Sequence, residues 1–438
     1  MVRVPAGGHL AHSVTQRGSL LPCELRMRSA QDGGNEETQH PNCVLSWGRF
    51  LCLLLGLLSL IVFAPKVEAQ KLVIRHARIL PIRGEIIPDG TIVIESGKIR
   101  ALGANVQVPS GATVLDVVGA TVMPGLVDAN AHFGLRDTNE QASEVTPQIR
   151  ILAQIAPRSP DFTHALAYGV TTACLTPEAA NIVGGQCAVV KTSGHTLDQM
   201  LLREAAGVRA ALGYDTVGGN GGFFRTGGNN LTSIYLRRPN SRMAAVWELR
   251  KALDEATKYP ALISVRSGKL PLRISAHVEN DIRAALTITD EFKIPRLVLD
   301  GSVEAYKVAD LLAERKVSVV LGPFYDPQIG GPESSEPMLN TPGLLAQKGV
   351  VVAFGSNDND PGPLLHWAAL AVKYGLSPED ALRAITLNAA EICGVADRVG
   401  SLEVGKDADL LILNGDPLEL TTQLEKVLVN GQVVYRAE

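Results

Sequence analysis

The sequence has no surplus of basic charge. Its 438 residues carry 41 Lys and Arg against 45 Asp and Glu, for a net charge of −4. The two signs are interspersed rather than gathered into blocks. Nucleic-acid binding needs a concentrated positive field, so that class is set aside, and so is an electrostatic tail. A disulfide framework is excluded as well. Of the 6 cysteines, Cys23, Cys43 and Cys52 precede residue 70. Cys174, Cys187 and Cys393 are odd in number and widely spaced, which suits small buried apolar side chains better than bridges, ligands or nucleophiles. No internal repeat of solenoid length is found. The Gly-rich segment 213–230 neither follows a strand nor opens a helix, so a phosphate loop finds no support. It reads as a connection, with a lid over a barrel mouth as the functional alternative.

What is present is ample apolar material, 46% of the residues, with 20% charged. That suffices for one large core. The first seventy residues differ from the rest. A polar stretch, 1–46, leads to Arg49 and an uncharged run from Phe50 to Ala64, and the segment closes on Val67-Glu68-Ala69-Gln70. A basic flank, a short apolar centre and small residues before Gln70 make a secretory signal cleaved after Ala69. The alternative is an uncleaved anchor helix, which normally needs about 20 apolar residues, more than this run supplies. Translation starting at Met27 would account for the polar stretch. The expected location is outside the cytoplasm, periplasmic or extracellular, with membrane contact only through this segment if it is uncleaved.

Beyond residue 70 the pattern is strand-like at both ends. Leu72-Val73-Ile74, Thr91-Ile92-Val93-Ile94 and Lys98–Leu102 are separated by Pro88-Asp89-Gly90 and Ser96-Gly97 turn chemistry. Near the other end, Ala408–Leu413 and Val427-Leu428-Val429 precede Asn430-Gly431, a hairpin turn into Gln432–Tyr435. Between the ends, short apolar runs alternate with helical stretches. The runs are Thr171–Leu175, Ala188–Val190, Leu272–Ala276, Leu297–Leu299, Val317–Leu321 and Val350–Phe354; helices are expected over Ala244–Tyr259 and Val303–Arg315. Ser377-Pro378-Glu379-Asp380 opens the last long helix with an N-cap, Pro in the first turn and an acid behind it. Alternating βα order predicts a parallel sheet, and this many units predict a closed barrel. Polar residues at strand ends are then the candidates for chemistry.

The first such end is Pro124-Gly125-Leu126-Val127-Asp128-Ala129-Asn130-Ala131-His132. It resembles the first-strand motif of the amidohydrolase superfamily, on its imidazolonepropionase-like side, which reads Pro-Gly-apolar-apolar-Asp-x-His-x-His. Gly400-Ser401-Leu402-Glu403-Val404-Gly405-Lys406-Asp407-Ala408-Asp409-Leu410 resembles the family's tail, so the likeness spans the chain from about Lys71 onward. The resemblance implies an α/β fold: a (β/α)8 TIM-like barrel with a small composite β-sandwich built from both ends of the mature chain. The expected order is a polar extension and signal over 1–69, sandwich over 70–122, barrel over 123–400 and sandwich again over 401–438. The resemblance also implies a divalent metal, zinc by preference, bound by two His after strand 1, one after strand 5 and one after strand 6. An Asp after strand 8 handles protons, and binuclear members add a carbamylated Lys or a Glu. Such an ion would activate a water for attack on a carbon–nitrogen bond.

Position by position, the pattern is altered. His132 matches the second strand-1 ligand, but Asn130 replaces the first. His277 matches the strand-5 ligand. Asp300 stands where the third His is expected, and it can ligate. Asn357 replaces the strand-8 base, leaving Asp358, one residue on, as the catalytic candidate if the backbone turns there. Lys191 is a candidate carbamate bridge, set against an ordinary charged strand-end residue. His164, His195 and His366 read as packing or surface residues, and Arg242 as a salt-bridge partner rather than an anchor for a substrate carboxylate. Two readings remain open. One is a metal-dependent hydrolase of C–N bonds in small amides, lactams or dipeptide-like substrates. The other is a catalytically inactive relative that serves as a binding or partner subunit. Assembly as a homo-oligomer is left open by the sequence.

Overall fold

The computed structural model describes residues 71–136, 138–140, 142–217, 239, 241–325, 329, 330 and 333–437. The signal segment, its cleavage after Ala69, the Met27 start and residues 218–230 of the Gly-rich segment lie outside the described residues. Among the described residues no helix is long and apolar enough to cross a membrane.

The chain opens with β1 (Lys71–Ile79), β2 (Ile87–Glu95), β3 (Lys98–Gly103), β4 (Thr113–Asp116) and β5 (Thr121–Pro124). It continues through β6 (Leu126–Ala131), β7 (Val170–Leu175), β8 (Val183–Lys191), β9 (Leu201–Ala211), β10 (Leu272–Ser275), β11 (Leu297–Asp300) and β12 (Ser318–Leu321). A two-residue pair, β13 (Ile329–Gly330) and β14 (Glu333–Ser334), precedes β15 (Val352–Phe354). The chain closes with β16 (Leu410–Leu413), β17 (Leu424–Val429) and β18 (Gln432–Arg436).

Both ends share one sheet, ordered β18-β17-β16-β5-β1-β2-β3, with β4 beside β1. Strand periodicity explains how it is held. On β16, Leu410 and Ile412 join Ile74, Ile92, Ile94, Ile99 and Val122 in the sheet's own apolar cluster. The alternate residues Leu411 and Leu413 pack into the barrel's core instead. The turn at Asn430-Gly431 has positive φ at both residues, 49° and 72°, as a two-residue hairpin requires.

The second sheet runs β15-β12-β11-β10-β9-β8-β7-β6. Its ends approach one another: the Asn357 amide donates to the Asn130 carbonyl at 2.7 Å and the His132 amide to the Asp358 carbonyl at 3.0 Å. Gly355 permits the approach, since a Cβ there would lie 2.6 Å from the Asn130 nitrogen. Alternate strand residues such as Val208, Ile274, Leu299, Val319 and Leu321 pack in one core with helix residues such as Leu249, Ile282 and Leu312. This is the expected eight-stranded α/β barrel, with one correction. β8 pairs antiparallel with both β7 and β9, so the sheet is not uniformly parallel. The links 176–182 and 192–200 are too short for the crossover of a dozen or more residues that parallel neighbours need.

The helices also follow the sequence. Arg242–Asp254 is capped by Ser241, and Pro378–Ala384 by Ser377, whose hydroxyl accepts from the Asp380 amide. The expected helix over Val303–Arg315 is split into a 3-10 turn, Ala305–Val308, and an α-helix, Ala309–Glu314. Cys174, Cys187 and Cys393 are free and buried, as expected of small apolar side chains.

Candidate functional site at the barrel mouth

The C-terminal ends of the parallel strands bring together Asn130, His132, Thr176, Asp215, His277, Asp300, Asn357 and Asp358. This is the end where αβ barrels build their sites. The residues form three connected groups.

The first group is neutral. Asn130 Nδ2 donates to Asn357 Oδ1 at 2.8 Å, and Thr176 Oγ1 donates to Asn130 Oδ1 at 2.6 Å. His132 Nδ1 donates to the Thr176 carbonyl at 2.8 Å, which leaves Nε2 as a lone-pair acceptor. Burial, helped by the charge of Arg209, lowers the His132 pKa to about 4. Beneath it Asp128 accepts from the Asn130 and Ser356 amides at 3.1 and 3.0 Å. Burial still raises its pKa to about 6.

The second group is a buried ion triad. Asp300 and Arg273 are 0% exposed and Arg209 is 1% exposed. Arg273 grips the Asp300 carboxylate side-on, Nε to Oδ2 at 3.0 Å and Nη2 to Oδ1 at 2.6 Å. Its Nη2 also reaches across the barrel to the Ala129 carbonyl at 2.7 Å. Arg209 Nη1 donates to Asp300 Oδ2 from β9, one strand beyond Arg273. Burial alone would lower the Arg273 pKa, but Asp300 outweighs it and holds the guanidinium well above its ordinary value.

The third group is a histidine–carboxylate pair. His277 Nδ1 donates to the Gly301 carbonyl at 2.6 Å and Nε2 to Asp215 Oδ2 at 2.8 Å. Burial pulls the His277 pKa down, yet the charge and hydrogen bond of Asp215 raise it overall. Burial would raise Asp215, but His277 holds it below the usual carboxylate range. Each ring nitrogen thus faces an oxygen, and neither points at open space. Gly301 is required here: its φ is +68° and a Cβ would lie 2.6 Å from His277 Cε1.

The donor set implied for a metal does not fit this arrangement. Asp300 is enclosed by two guanidiniums, both His277 nitrogens are taken up by Gly301 and Asp215, and amide oxygens are weak ligands for zinc. Among the described residues no group of three or more His, Cys, Asp or Glu is placed to hold an ion. His132 alone keeps a nitrogen available. Asp358 does come to the mouth, because Asn357 turns the backbone with a φ of 52°. Its side chain is exposed and accepts from the Asn359 amide at 2.6 Å.

Lys191 is a correction. Because β8 runs backwards, its last residue lies at the opposite end of the barrel. There Lys191 meets Asp407 at 2.8 Å, Asp409 at 2.9 Å and Asn430 Oδ1 at 2.5 Å. It joins the barrel to the terminal sheet, 2% exposed, and cannot bridge metals at the mouth. Arg242 forms a salt bridge with Asp281 at 3.0 Å, as expected. His164 lies 3.1 Å from Asp360 at the surface.

Sequence reasoning passed over Arg209, Arg273 and Asp215. For the arginines a signal exists: each is a lone charge between apolar strand residues that face the helices, so it must face the barrel interior. Asp215 lies in a single helical turn, Tyr214–Val217, where no periodicity marks it.

Comparison with known proteins agrees with this architecture. The model of the Amidohydrolase family matches residues 301–435. Amidohydrolase tasK of Hapsidospora irregularis is 23% identical over 403 residues, covering 79% of this chain, which itself spans 40% of that protein's length. Imidazolonepropionase of Thermoplasma volcanium is 42% identical over a stretch of 73 residues, 15% of this chain and 18% of that protein. The crystal structure of an amidohydrolase from Thermotoga maritima superimposes with a TM-score of 0.75 at 28% identity, covering 84% of this chain and all (100%) of that one. Members of the family are generally metal-dependent, which makes the donor set described above a departure. By motif, fold and relatives together, the chain is similar to members of the amidohydrolase superfamily.

Proposed function

We propose that this chain is an amidohydrolase-fold protein that has given up the metal-activated water and uses its barrel mouth to bind a small molecule. One observation carries the reading. Asp300, which would have to face a cation, is neutralised by Arg209 and Arg273 in a fully buried triad. A divalent ion placed beside two guanidiniums meets like charge in a low-dielectric interior, where repulsion is least screened. Asn130 and Asn357 fit the same picture, since they satisfy one another.

A second reading is metal-dependent hydrolysis of C–N bonds, with His132, His277 and Asp300 as ligands and Asp358 as base. The amidohydrolase relatives favour it, and so does the uncommitted Nε2 of His132. Metal analysis separates the two. The purified protein is dialysed against zinc or manganese, desalted and assayed for bound ion. The binding reading expects less than about a tenth of an equivalent; close to one equivalent, lost in His132→Ala, supports the hydrolase. Export to the periplasm or the medium belongs to the same proposal, and N-terminal sequencing of the mature protein tests it. A mature chain that begins before Phe50 would remove it.

A further inference from the structure

We infer that the free edge of Arg209 anchors a small carboxylate at the centre of the barrel mouth. This names a ligand class for the binding reading above and rests on it.

A guanidinium has three faces for hydrogen bonding. One edge, Nε–H with the adjacent Nη2–H, presents two parallel donors spaced to match the oxygens of a carboxylate. In Arg273 that edge is filled, by Asp300 at 3.0 and 2.6 Å. Arg209 uses only Nη1 on Asp300. Its Nε and Nη2 are buried and without a partner. The side chain is 1% exposed, so bulk water does not satisfy these donors. Orphaned buried donors are uncommon in folded proteins, and a pair on one edge points to a two-point acceptor. Arg273 shows within the same barrel what that acceptor is.

Charge at this edge is compatible with an anion. Two guanidiniums against one carboxylate leave the triad with an excess of one positive charge. Asp128, buried beneath the mouth and in the field of Arg273, offsets part of that excess, but its carboxylate accepts from the Asn130 and Ser356 amides and not from Arg209. His277 and Asp215 form an internally balanced pair at 2.8 Å. Asp358 is exposed to solvent. A monoanion at the Arg209 edge would meet a guanidinium whose two side-on donors have no other acceptor. His132 Nδ1 is committed to the Thr176 carbonyl, so its Nε2 is an acceptor at the mouth for a donor elsewhere on the ligand.

The test uses the full chain after chelator treatment, with bound metal measured on the same sample. [1-13C]Acetate is titrated and its carboxyl line width followed by NMR, with chloride and inorganic phosphate as competing probes. The expected result is saturable acetate binding at one site. It should weaken at least about tenfold in Arg209→Gln and also in Arg209→Lys, which keeps the charge but loses the two-point edge. Asp300 and Arg273 still pair in both variants, and circular dichroism checks that the fold is retained. No saturation, unchanged binding in Arg209→Lys, or chloride competing as well as acetate does would each overturn the carboxylate site. Failure of the metal-free reading is seen separately, as bound metal in the parent.

Discussion

Removing the Asp300 carboxylate should destabilise the protein far more than the loss of an ordinary side chain. In Asp300→Ala two guanidiniums that are 0% and 1% exposed lose their shared counter-ion. Three charged hydrogen bonds disappear, each worth about 1.5–3 kcal/mol. These values are not additive, and breaking a buried pair by deleting one partner typically costs about 3–5 kcal/mol. Urea unfolding at pH 7 in the presence of a chelator measures the effect. With a slope near 3 kcal/mol per molar, the upper end for small proteins, the midpoint should fall by about 1 M or more. The triple variant Arg209→Met, Arg273→Met, Asp300→Leu removes all the charges and should lie within about 1 kcal/mol of the parent or above it. If Asp300→Ala unfolds within about 0.5 kcal/mol of the parent, the carboxylate is not neutralised as described. A chelated enzyme whose Asp300 served only a metal would give that result.

Other perturbations test separate links. Asp128 has a pKa raised from 3.8 to about 6, so between these values the folded state holds a proton the unfolded state has released, and stability falls as pH rises. Asp128→Asn keeps an acceptor for the Asn130 and Ser356 amides, so it should match the parent near pH 4 and exceed it by up to about 3 kcal/mol at pH 8. The depressed His132 pKa, about 4, contributes the opposite slope, lost as pH falls from 6.5, and cancels when the two proteins are compared at each pH. An equal parent–variant difference at pH 4 and pH 8 would contradict the assignment. Gly301→Ala places a methyl group against the His277 ring at a left-handed position and should destabilise by about 2–3 kcal/mol, with loss of the downfield ring N–H proton signals. Lys191→Met should destabilise by about 3 kcal/mol by leaving Asp407 and Asp409 without their shared cation. It should leave acetate binding at the mouth unchanged; altered binding with unchanged stability would return Lys191 to the site.

Much of the fold is legible in the sequence because burial on one face leaves a period of two. Leu410 and Ile412 against Leu411 and Leu413 are an example, and Asn430-Gly431 sets the last hairpin through backbone conformation alone. Strand direction is a different matter. Nothing in Ala188-Val189-Val190-Lys191 says which way it runs, and Lys191 changes ends of the barrel when β8 is reversed. The short links on either side hold that information, through the reach a crossover needs. β9 is obscured by its own composition, since Leu201–Ala211 contains four alanines and a glycine where β-branched residues would mark a strand.

The site is legible only in part. The Pro124–His132 motif locates the mouth with Asn130 and His132, and the family's later strand ends add His277, Asp300 and Asn357. Neither reveals what Asp300 faces. The arginines that neutralise it come from β9 and β10, separated from it in sequence and brought together only by barrel closure. A His-to-Asp change therefore reads as an exchange of ligands in the sequence and as an ion pair in the structure. The same closure fixes His277, whose partner Asp215 is supplied by a different loop.

Bound metal in the purified chain, measured by mass spectrometry after incubation with zinc and manganese, tests the central claim most directly. The triad predicts less than about a tenth of an equivalent for the parent, with uptake appearing only when Arg209 and Arg273 are both replaced by Met and Asp300 is freed. About one equivalent in the parent, abolished by His132→Ala, would contradict it.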